Sequence, residues 1–559
     1  MIANPQGQPR VEPASTVPAL LREIVSARGS HDAIITACAT LSYQELDRRS
    51  SRIARALLAA GAGKGTRISL LAPDGVLWLT SFLGVLRIGA LLSLVSTLCT
   101  PRELAHILRH SDTQILIAAR RFLRHDYGRT LAAALPELAE GRAAALRLTD
   151  APYLRSIWLD DAAGLGWAAP IDDLLSLADE AGAPGTALLD AVEREVVPGD
   201  DAVIVYTSGS TSMPKAVVHT QWNVTRHPRA LARYFLLESG DRMMPLLPAF
   251  WLGGLAMAME VLSVGAALVY PETPETGVIL DTIQRFDVNR VNGWGDMLVK
   301  LREAAVARGI DVERIVGLGP FRDRQGVPIP PHLQSNMLGM SETFAPHSAE
   351  PLDVRLPENK AGASGRAVHG YERRVVDPAT GRETAAGEIG ELQVRGAALM
   401  SGLYKVDSRE VFTPDGFYPT GDLVRLDGDG YLYFIARLGD MIKTRAANVS
   451  RLEVEAALRA LPEVELPIVV GLPDAELGQR LVAAVVAKPG AAPTEQSLKA
   501  ALRATLSSYK VPRRIVFIAP QDVPRTGTGK IKLFELADMI SARLASDASL
   551  EGRRGAGAA

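Results

Sequence analysis

The sequence has few cysteines: only Cys38 and Cys99 occur among its 559 residues. Two cysteines in so long a chain exclude a disulfide framework and a cysteine-rich metal site, so we expect a reducing, cytoplasmic location. An excess of one charge is also absent, because 61 lysines and arginines face 63 acidic residues, for a net charge of −2. The sequence therefore lacks the basic surplus that is typical of nucleic-acid-binding proteins.

Long hydrophobic runs are missing as well. The most apolar stretch, 76–98, is interrupted by Arg87, with Gly84 and Gly89 beside it. Its clean part is shorter than the roughly 18 apolar residues that a membrane-spanning helix needs, so we predict a buried helix followed by a strand. Residues 1–18 show no secretory signal pattern. With 47% hydrophobic and 22% charged residues, the chain is typical of a globular protein of two or more domains.

Helix-like and strand-like segments alternate through the first four hundred residues. Ser42 and Glu45 predict a capping box at the start of a helix. Apolar runs at 67–71, 91–95 and 115–118 predict buried strands. This alternation predicts an α/β domain with parallel sheets covered by helices.

The rest of the chain differs in pattern. Residues 119–200 lack clear periodicity, so we expect helical surface insertions there. Residues 362–396 alternate in short strands, which predicts an antiparallel, barrel-like subdomain. After Arg437 the pattern predicts a compact α+β module, and we place the domain boundary between residues 1–438 and 439–559.

The strongest chemical signal is a hydroxyl-rich segment between two apolar runs, 202–205 and 217–218. Hydroxyl groups and flexible backbone amides can surround phosphate oxygens, and a lysine adds positive charge. The segment is not a Walker A loop, which has a different glycine spacing and opens a helix. A serine- and threonine-rich surface turn is the alternative. Under the phosphate-binding hypothesis, the candidate residues of the hydroxyl-rich segment are Thr207, Ser208, Gly209, Ser210, Thr211 and Lys215.

Four further motifs follow in order along the chain. They are 338–343 (Leu-Gly-Met-Ser-Glu-Thr), 417–422 (Phe-Tyr-Pro-Thr-Gly-Asp), 431–437 (Tyr-Leu-Tyr-Phe-Ile-Ala-Arg) and 524–531 (Pro-Arg-Thr-Gly-Thr-Gly-Lys-Ile). Together with the hydroxyl-rich segment, this series resembles the adenylate-forming superfamily of acyl-CoA synthetases, luciferases and peptide-synthetase adenylation domains. The resemblance implies a large N-terminal domain and a small, mobile C-terminal domain.

The resemblance also implies a role for individual residues. Glu342 would help to hold Mg²⁺ at the ATP phosphates, and hard oxygen ligands suit that ion. Asp422 would bind the ribose hydroxyls and Arg437 the ribose or a phosphate. Taken alone, Glu342 could belong to a helix-capping pair and Asp422 to a turn. Leu338 replaces the tyrosine that usually faces adenine. The remaining nucleotide-site residues that we assign are Gly319, Gly339, Ser341 and Lys443.

Lys530 is the third candidate catalytic residue, beside Glu342 and Arg437. In the superfamily, the matching lysine bridges the attacking carboxylate and the α-phosphate. This reaction brings an anion toward an anion, so a positioned ammonium group lowers the energy of the transition state. A basic surface loop is the alternative.

Several positions depart from the superfamily pattern. Ser212 and Ala216 replace two glycines of the hydroxyl-rich segment. Gly439 stands at the hinge between the domains, where an aspartate or lysine is usual, and glycine leaves that backbone free to swing. Ala446 places a methyl group where a glycine normally lies beside the pantetheine tunnel.

The segment 248–254 resembles the pocket motif of the superfamily. Trp251 stands where histidine is frequent, and no aspartate is present to pair with a substrate ammonium group. Burying an unpaired ammonium group would be costly, so we expect a hydrophobic acid without an α-amine. The alternative is that these apolar residues belong to the core. The proposed pocket residues are Phe250, Trp251, Gly253 and Trp294.

The leading hypothesis is therefore an acyl-CoA synthetase that uses ATP, Mg²⁺ and coenzyme A to activate a small carboxylic acid. One alternative is a stand-alone ligase that loads a carrier protein. Another is a nucleotide- or acyl-binding protein without turnover. The sequence leaves the oligomeric state open, a homodimer included.

Overall fold

The computed structural model describes residues 14–143, 145–207, 215–293, 295–438, 441–444, 447–474, 478–503, 505–506, 510–525 and 529–556. The chain divides into two compact units. The large unit contains Met1–Arg374, Gln393–Pro419 and Leu426–Tyr433, and the small unit contains Val375–Leu392, Thr420–Arg425 and Phe434–Ala559.

The large unit contains an eight-stranded sheet. The strands that lie side by side between Asp201–Thr207 and Ala169–Pro170 in the sheet, these two included, run parallel to one another. At the other edge, Lys215–Thr220 and Gly402–Leu403 pair in antiparallel orientation. In sheet order the strands are Gly402–Leu403, Lys215–Thr220, Asp201–Thr207, Leu91–Leu94, Arg67–Leu71, Ile115–Ala118, Ser156–Leu159 and Ala169–Pro170.

Two smaller sheets also lie in the large unit. The first has five strands and is parallel apart from one edge pair; its order is Arg290–Asn292, Arg242–Pro245, Ala267–Val269, Asp32–Ile35 and Thr40–Ser42. The second is antiparallel; its order is Leu338–Met340, Ala345–Ala349 and Arg366–Ala367.

Helices cover these sheets and form much of the hydrophobic core. The helix Tyr43–Ala59 begins with the capping box of Ser42 and Glu45, as the sequence predicts. The helix Val76–Arg87 is buried over most of its surface, which explains why its sequence is apolar on every side. The α-helices of this unit are Val17–Arg28, Tyr43–Ala59, Val76–Arg87, Pro101–His110, Tyr127–Ala134, Ile171–Ser176, Thr186–Arg194, Gln221–Tyr234, Leu252–Val264, Thr276–Arg285, Gly295–Ala307 and Ser408–Val411.

The expectation of helical surface insertions in 119–200 is wrong in part. The strand Ser156–Leu159 is fully buried and pairs in parallel with Ile115–Ala118, and a short hairpin joins Arg121–Phe122 to His125–Asp126. The strand Ser156–Leu159 has four residues in an alanine- and leucine-rich context, so its period could not be distinguished from that of a helix.

The small unit is an α+β module, as predicted. Its sheet has the order Ala447–Ser450, Met441–Thr444, Gly478–Ala487 and Val464–Asp474, and Arg514–Phe517 pairs in parallel with Gly478–Ala487. Alternate residues of the two long strands enter separate hydrophobic clusters on opposite faces. The central parts of both strands, 466–473 and 481–487, are therefore apolar on both faces. The helices are Arg451–Arg459, Glu495–Arg503 and Leu533–Ala556.

Four strands contribute residues to both units: Tyr371–Val376, Ile389–Gly396, Tyr418–Leu426 and Leu432–Arg437, in that sheet order.

The predicted fold class, a large α/β domain followed by a small α+β domain, is confirmed. The predicted boundary at Gly439 falls on a residue outside the described part and stays a prediction. None of the helices in the described residues combines the length and apolar character that crossing a membrane requires.

Candidate active site

The hydroxyl-rich segment connects two antiparallel strands, Asp201–Thr207 and Lys215–Thr220. Both strands were predicted from their apolar residues. Thr207 and Lys215 face each other directly in the ladder, so the segment between them is the connection of a hairpin. Lys215 is exposed at the end of its strand. The predicted phosphate-binding residues Ser208, Gly209, Ser210 and Thr211 lie outside the described residues.

The predicted metal ligand lies on a second tight connection. A 3-10 turn, Ser341–Thr343, joins the antiparallel strands Leu338–Met340 and Ala345–Ala349. Gly339 is required here, because a Cβ atom at that position would lie 2.3 Å from the carbonyl oxygen of Ala345. Leu338, the proposed adenine neighbour, is partly buried.

Glu342 projects from this turn. The hydroxyl group of Tyr418 donates a hydrogen bond to its Oε1 at 3.2 Å, and its side chain remains partly exposed. The described residues contain no group of three or more histidine, cysteine, aspartate or glutamate side chains that could hold a metal ion. A single carboxylate fits Mg²⁺ that is bound together with substrate phosphates, since Mg²⁺ usually keeps only one or two protein ligands.

The strand that follows the hydroxyl-rich segment contacts the turn Ser341–Thr343 directly. The Nε2 atom of His219, on the strand that begins with Lys215, lies 2.7 Å from the carbonyl oxygen of Ser341. Residues 215 and 219 point to the same face of the strand, because side chains alternate along it. This contact holds the strand of the phosphate-binding candidate against the turn that carries Glu342.

Asp422 and Arg437 form an ion pair within the small unit. The Nε atom of Arg437 lies 2.6 Å from Oδ1 of Asp422, and the Asp422 side chain is 2% exposed while that of Arg437 is 49% exposed. The backbone N–H of Asp422 donates to Oγ1 of Thr420 at 3.1 Å. The structure thus brings together two residues that were assigned to the same nucleotide.

Lys530 is exposed on the small unit. Gly529, before it, has a φ of +81°, and Arg525 donates to the Gly529 carbonyl at 2.9 Å. Lys443 lies in the strand Met441–Thr444. A cleft of about 380 Å³ adjoins Lys530 and is lined by Arg451, Glu455, Arg459, Leu466, Pro467, Arg525, Gly529, Lys530, Ile531 and Leu533.

The proposed pocket residues flank the start of the helix Leu252–Val264. Phe250 is buried and Trp251 partly buried, and their rings meet edge to face with centroids 5.3 Å apart. Gly253 is partly buried in the first turn of this helix, and Trp294 lies outside the described residues. Residues 255–259 are fully packed into the largest hydrophobic cluster, which favours the core interpretation for them.

Gly319 occupies a crowded position. A Cβ atom there would lie 2.6 Å from the carbonyl oxygen of Val312, and its N–H donates to the Ile315 carbonyl at 3.0 Å. A larger residue would displace this backbone. The assignment of Gly319 to the nucleotide site stays a prediction.

Sequence reasoning missed Asp74. Its Oδ1 accepts a hydrogen bond from the backbone N–H of Ala249 at 2.9 Å, next to Phe250. Burial of the carboxyl group raises the pKa of Asp74 to about 7, although the residue as a whole keeps some exposed surface. No local signal marks this contact, since the two residues are 175 positions apart.

The raised pKa of Asp74 predicts a pH-dependent stability. The folded state binds a proton that the unfolded state, with an ordinary pKa of 3.8, releases, so stability falls as the pH rises from about 4 to about 7. Asp74→Asn keeps an acceptor for Ala249 without the titration. We expect the variant to gain on the wild type by up to about 4 kcal/mol at pH 8 and by little at pH 4. Urea unfolding at both pH values checks this, and an equal difference at both would contradict it.

Comparison with known proteins decides the family. Residues 21–404 match the family model described as AMP-binding enzyme, and residues 453–530 match the AMP-binding enzyme C-terminal domain. The chain belongs to the AMP-binding enzyme family. The adenylate-forming resemblance is therefore confirmed.

Relatives of this AMP-binding enzyme extend over nearly the whole chain. The 3-hydroxybenzoate–CoA/4-hydroxybenzoate–CoA ligase of Thauera aromatica is 30% identical, covering 94% of this chain and 96% of its own length. The fatty acid–acyl-carrier-protein ligase ScoC of Streptomyces coeruleorubidus is 28% identical, covering 89% and 91%. The crystal structure of the anthranilate CoA ligase AuaEII with anthranoyl-AMP has the same fold, with a TM-score of 0.70, 23% identity and coverage of 94% and 98%.

These comparisons also place the AMP-binding enzyme among the acid–thiol ligases. Such an enzyme activates a carboxylic acid with ATP to an acyl-adenylate and then forms a thioester. The catalytic, nucleotide and pocket residues remain predictions for this chain.

Proposed function

We propose that this AMP-binding enzyme activates a hydrophobic carboxylic acid without an α-amine and transfers the acyl group to the thiol of coenzyme A. The observation that carries the proposal is the 2.7 Å contact between His219 and Ser341. It joins the strand that begins with Lys215 to the turn that carries Glu342, and this supports placing the candidate phosphate cation and the candidate Mg²⁺ carboxylate in one site.

The first half-reaction needs charge compensation at the α-phosphate. One carboxylate oxygen of the substrate attacks that phosphorus, and pyrophosphate leaves. We assign Lys530 to the developing negative charge, Lys215 to the phosphates, and Asp422 with Arg437 to the ribose side of the nucleotide. Mg²⁺, held by Glu342, would neutralise phosphate charge as pyrophosphate departs.

The second half-reaction uses the acyl-adenylate as an activated acyl donor. The thiol sulfur attacks the acyl carbon, AMP leaves, and the thiol proton passes to solvent. We assign the hinge to Gly439, between the domains 1–438 and 439–559, because glycine allows the wide range of backbone angles that a rotation needs.

The substrate class follows from the pocket motif. Phe250 and Trp251 present aromatic surface, and 248–254 contains no acidic side chain to pair with an ammonium group. Burying such a group without a partner is costly. The names of two relatives point the same way, since they act on hydroxybenzoate and on a fatty acid.

The two free cysteines in the structure support a reducing cytoplasm.

The acceptor thiol has one specific alternative. The relative from Streptomyces coeruleorubidus loads an acyl carrier protein, which carries a comparable thiol. Ala446, beside the expected pantetheine tunnel, is the residue that motivates this alternative. A protein that binds nucleotide without turnover is the other alternative, and it would support no ATP–pyrophosphate exchange.

Pyrophosphate release tests the proposal. The purified protein is incubated with ATP, Mg²⁺ and aryl, fatty or polycyclic acids, each with and without coenzyme A, and an α-amino acid panel serves as the control. We expect many turnovers only when a hydrophobic acid and coenzyme A are both present. A single burst that coenzyme A does not extend would favour the carrier protein, and preference for amino acids would contradict the assigned pocket.

A further inference from the structure

Three successive carbonyl groups in the turn Ser341–Thr343 each accept a hydrogen bond from a different part of the large unit. We call these three bonds the carbonyl clamp. One donor is a histidine side chain, one is a backbone N–H and one is a tyrosine hydroxyl group. The bonds are His219 to the Ser341 carbonyl at 2.7 Å, Met400 N–H to the Glu342 carbonyl at 2.8 Å, and Tyr371 to the Thr343 carbonyl at 2.6 Å.

The turn needs this support because the backbone that follows it is strained. Phe344 and Ala345 have φ values of 43° and 80°, a region that residues with a Cβ atom seldom adopt. Each such residue costs on the order of 1–3 kcal/mol and persists only where its surroundings enforce it. Thr343 Oγ1 bonds hold the ends of the turn locally, and the clamp fixes the turn to the rest of the large unit. Losing a clamp bond would let the strained backbone relax and move Glu342 with it.

The histidine donor is built into the core. His219 is fully buried, and its ring stands perpendicular to that of Phe344, with centroids 4.9 Å apart. Burial lowers the pKa of His219 to about 4, so its ring is neutral near pH 7. Since a carbonyl oxygen can only accept, the single proton of this neutral ring lies on Nε2.

We propose that the carbonyl clamp presets the Glu342 carboxylate for Mg²⁺, which makes His219 and Tyr371 positioning residues of adenylate formation. The inference rests on the proposed function. Mg²⁺ demands nearly ideal octahedral geometry, so a small displacement of its carboxylate weakens binding. Groups that orient a metal ligand without touching the metal typically contribute about 10- to 100-fold in metal affinity or activity.

Tyr371→Phe tests the clamp by removing one hydroxyl group. Tyr43→Phe is a matched control, because Tyr43 is also buried and donates to the Ala266 carbonyl at the same 2.6 Å. The readouts are the free Mg²⁺ that half-saturates ATP binding, measured by calorimetric titration without the acid substrate, and ATP–pyrophosphate exchange as a function of free Mg²⁺. We expect Tyr371→Phe to need about tenfold more Mg²⁺ for half-maximal exchange, and Tyr43→Phe to need no more than the wild type. Equal Mg²⁺ requirements in the two variants would overturn the inference.

A second pair keeps the test decisive if Tyr371→Phe does not fold. His219→Gln retains a side-chain N–H donor at a similar distance from the backbone, whereas His219→Phe retains the aromatic ring without a donor. We expect the glutamine variant to keep the Mg²⁺ requirement of the wild type and the phenylalanine variant to raise it about tenfold. The same shift in both variants would overturn the inference. A wild-type protein without any exchange would instead overturn the proposed function, and the clamp's role with it.

Discussion

Lys530→Ala should reduce acyl-adenylate formation by about 10²–10³-fold, the usual effect of removing one electrostatic contact with a transition state. The variant should still form thioester from a supplied acyl-adenylate, because that step no longer joins a carboxylate to a phosphate. ATP–pyrophosphate exchange measures the first half-reaction, and acyl transfer from synthetic acyl-adenylate to coenzyme A measures the second.

The neighbouring lysine offers a control for this experiment. Lys532 is exposed, and its ammonium group lies 2.8 Å from Oε1 of Glu535 in a surface ion pair, which contributes little to stability. Lys532→Ala should therefore retain both half-reactions. Equal loss of both half-reactions in Lys530→Ala would contradict the assigned role, since it would indicate general damage to the small unit.

Several elements of the fold were predictable because their sequence signals are local. The capping box at Ser42, the apolar strands around the hydroxyl-rich segment and the strands of the small unit each depend on a few adjacent residues. Periodicity and capping residues are sufficient for such elements. The strand Ser156–Leu159 was missed because a run of three apolar residues after Ser156 fits either a helix or a strand.

The contacts between distant segments could not be predicted in the same way. His219 and Ser341 are 122 residues apart, and Asp74 contacts Ala249 across 175. Their pairing follows from tertiary packing, for which the residues themselves carry no periodic signal. The left-handed conformation of Phe344 is also absent from the local sequence, because a glycine would be expected at such a φ. Motif order predicted the residues of the candidate site, whereas the structure shows the contacts that hold the turn of Glu342 and pair Asp422 with Arg437.

The two residues of the ion pair Asp422–Arg437 should contribute to different properties. We expect removal of Arg437 to lower the stability of the fold, and removal of the Asp422 charge to weaken ATP binding. Removing Arg437 leaves a carboxylate that is 2% exposed without this cation, so Arg437→Ala should lower the free energy of unfolding by about 1–3 kcal/mol. Asp422→Asn removes the buried charge and leaves a half-exposed guanidinium group, which water can solvate. We therefore expect little loss of stability from Asp422→Asn.

Nucleotide binding should depend on Asp422 regardless of stability. Hydrogen bonds from ribose hydroxyl groups to a carboxylate contribute roughly 1.5–3 kcal/mol each, so Asp422→Asn should raise the KM for ATP about tenfold to a hundredfold. The double variant Asp422→Asn/Arg437→Ala should recover the stability lost in Arg437→Ala but not the affinity for ATP. Urea unfolding and ATP titration of the three variants measure the two effects. If ATP affinity returned together with stability in the double variant, Asp422 would serve the fold of the small unit and not the nucleotide.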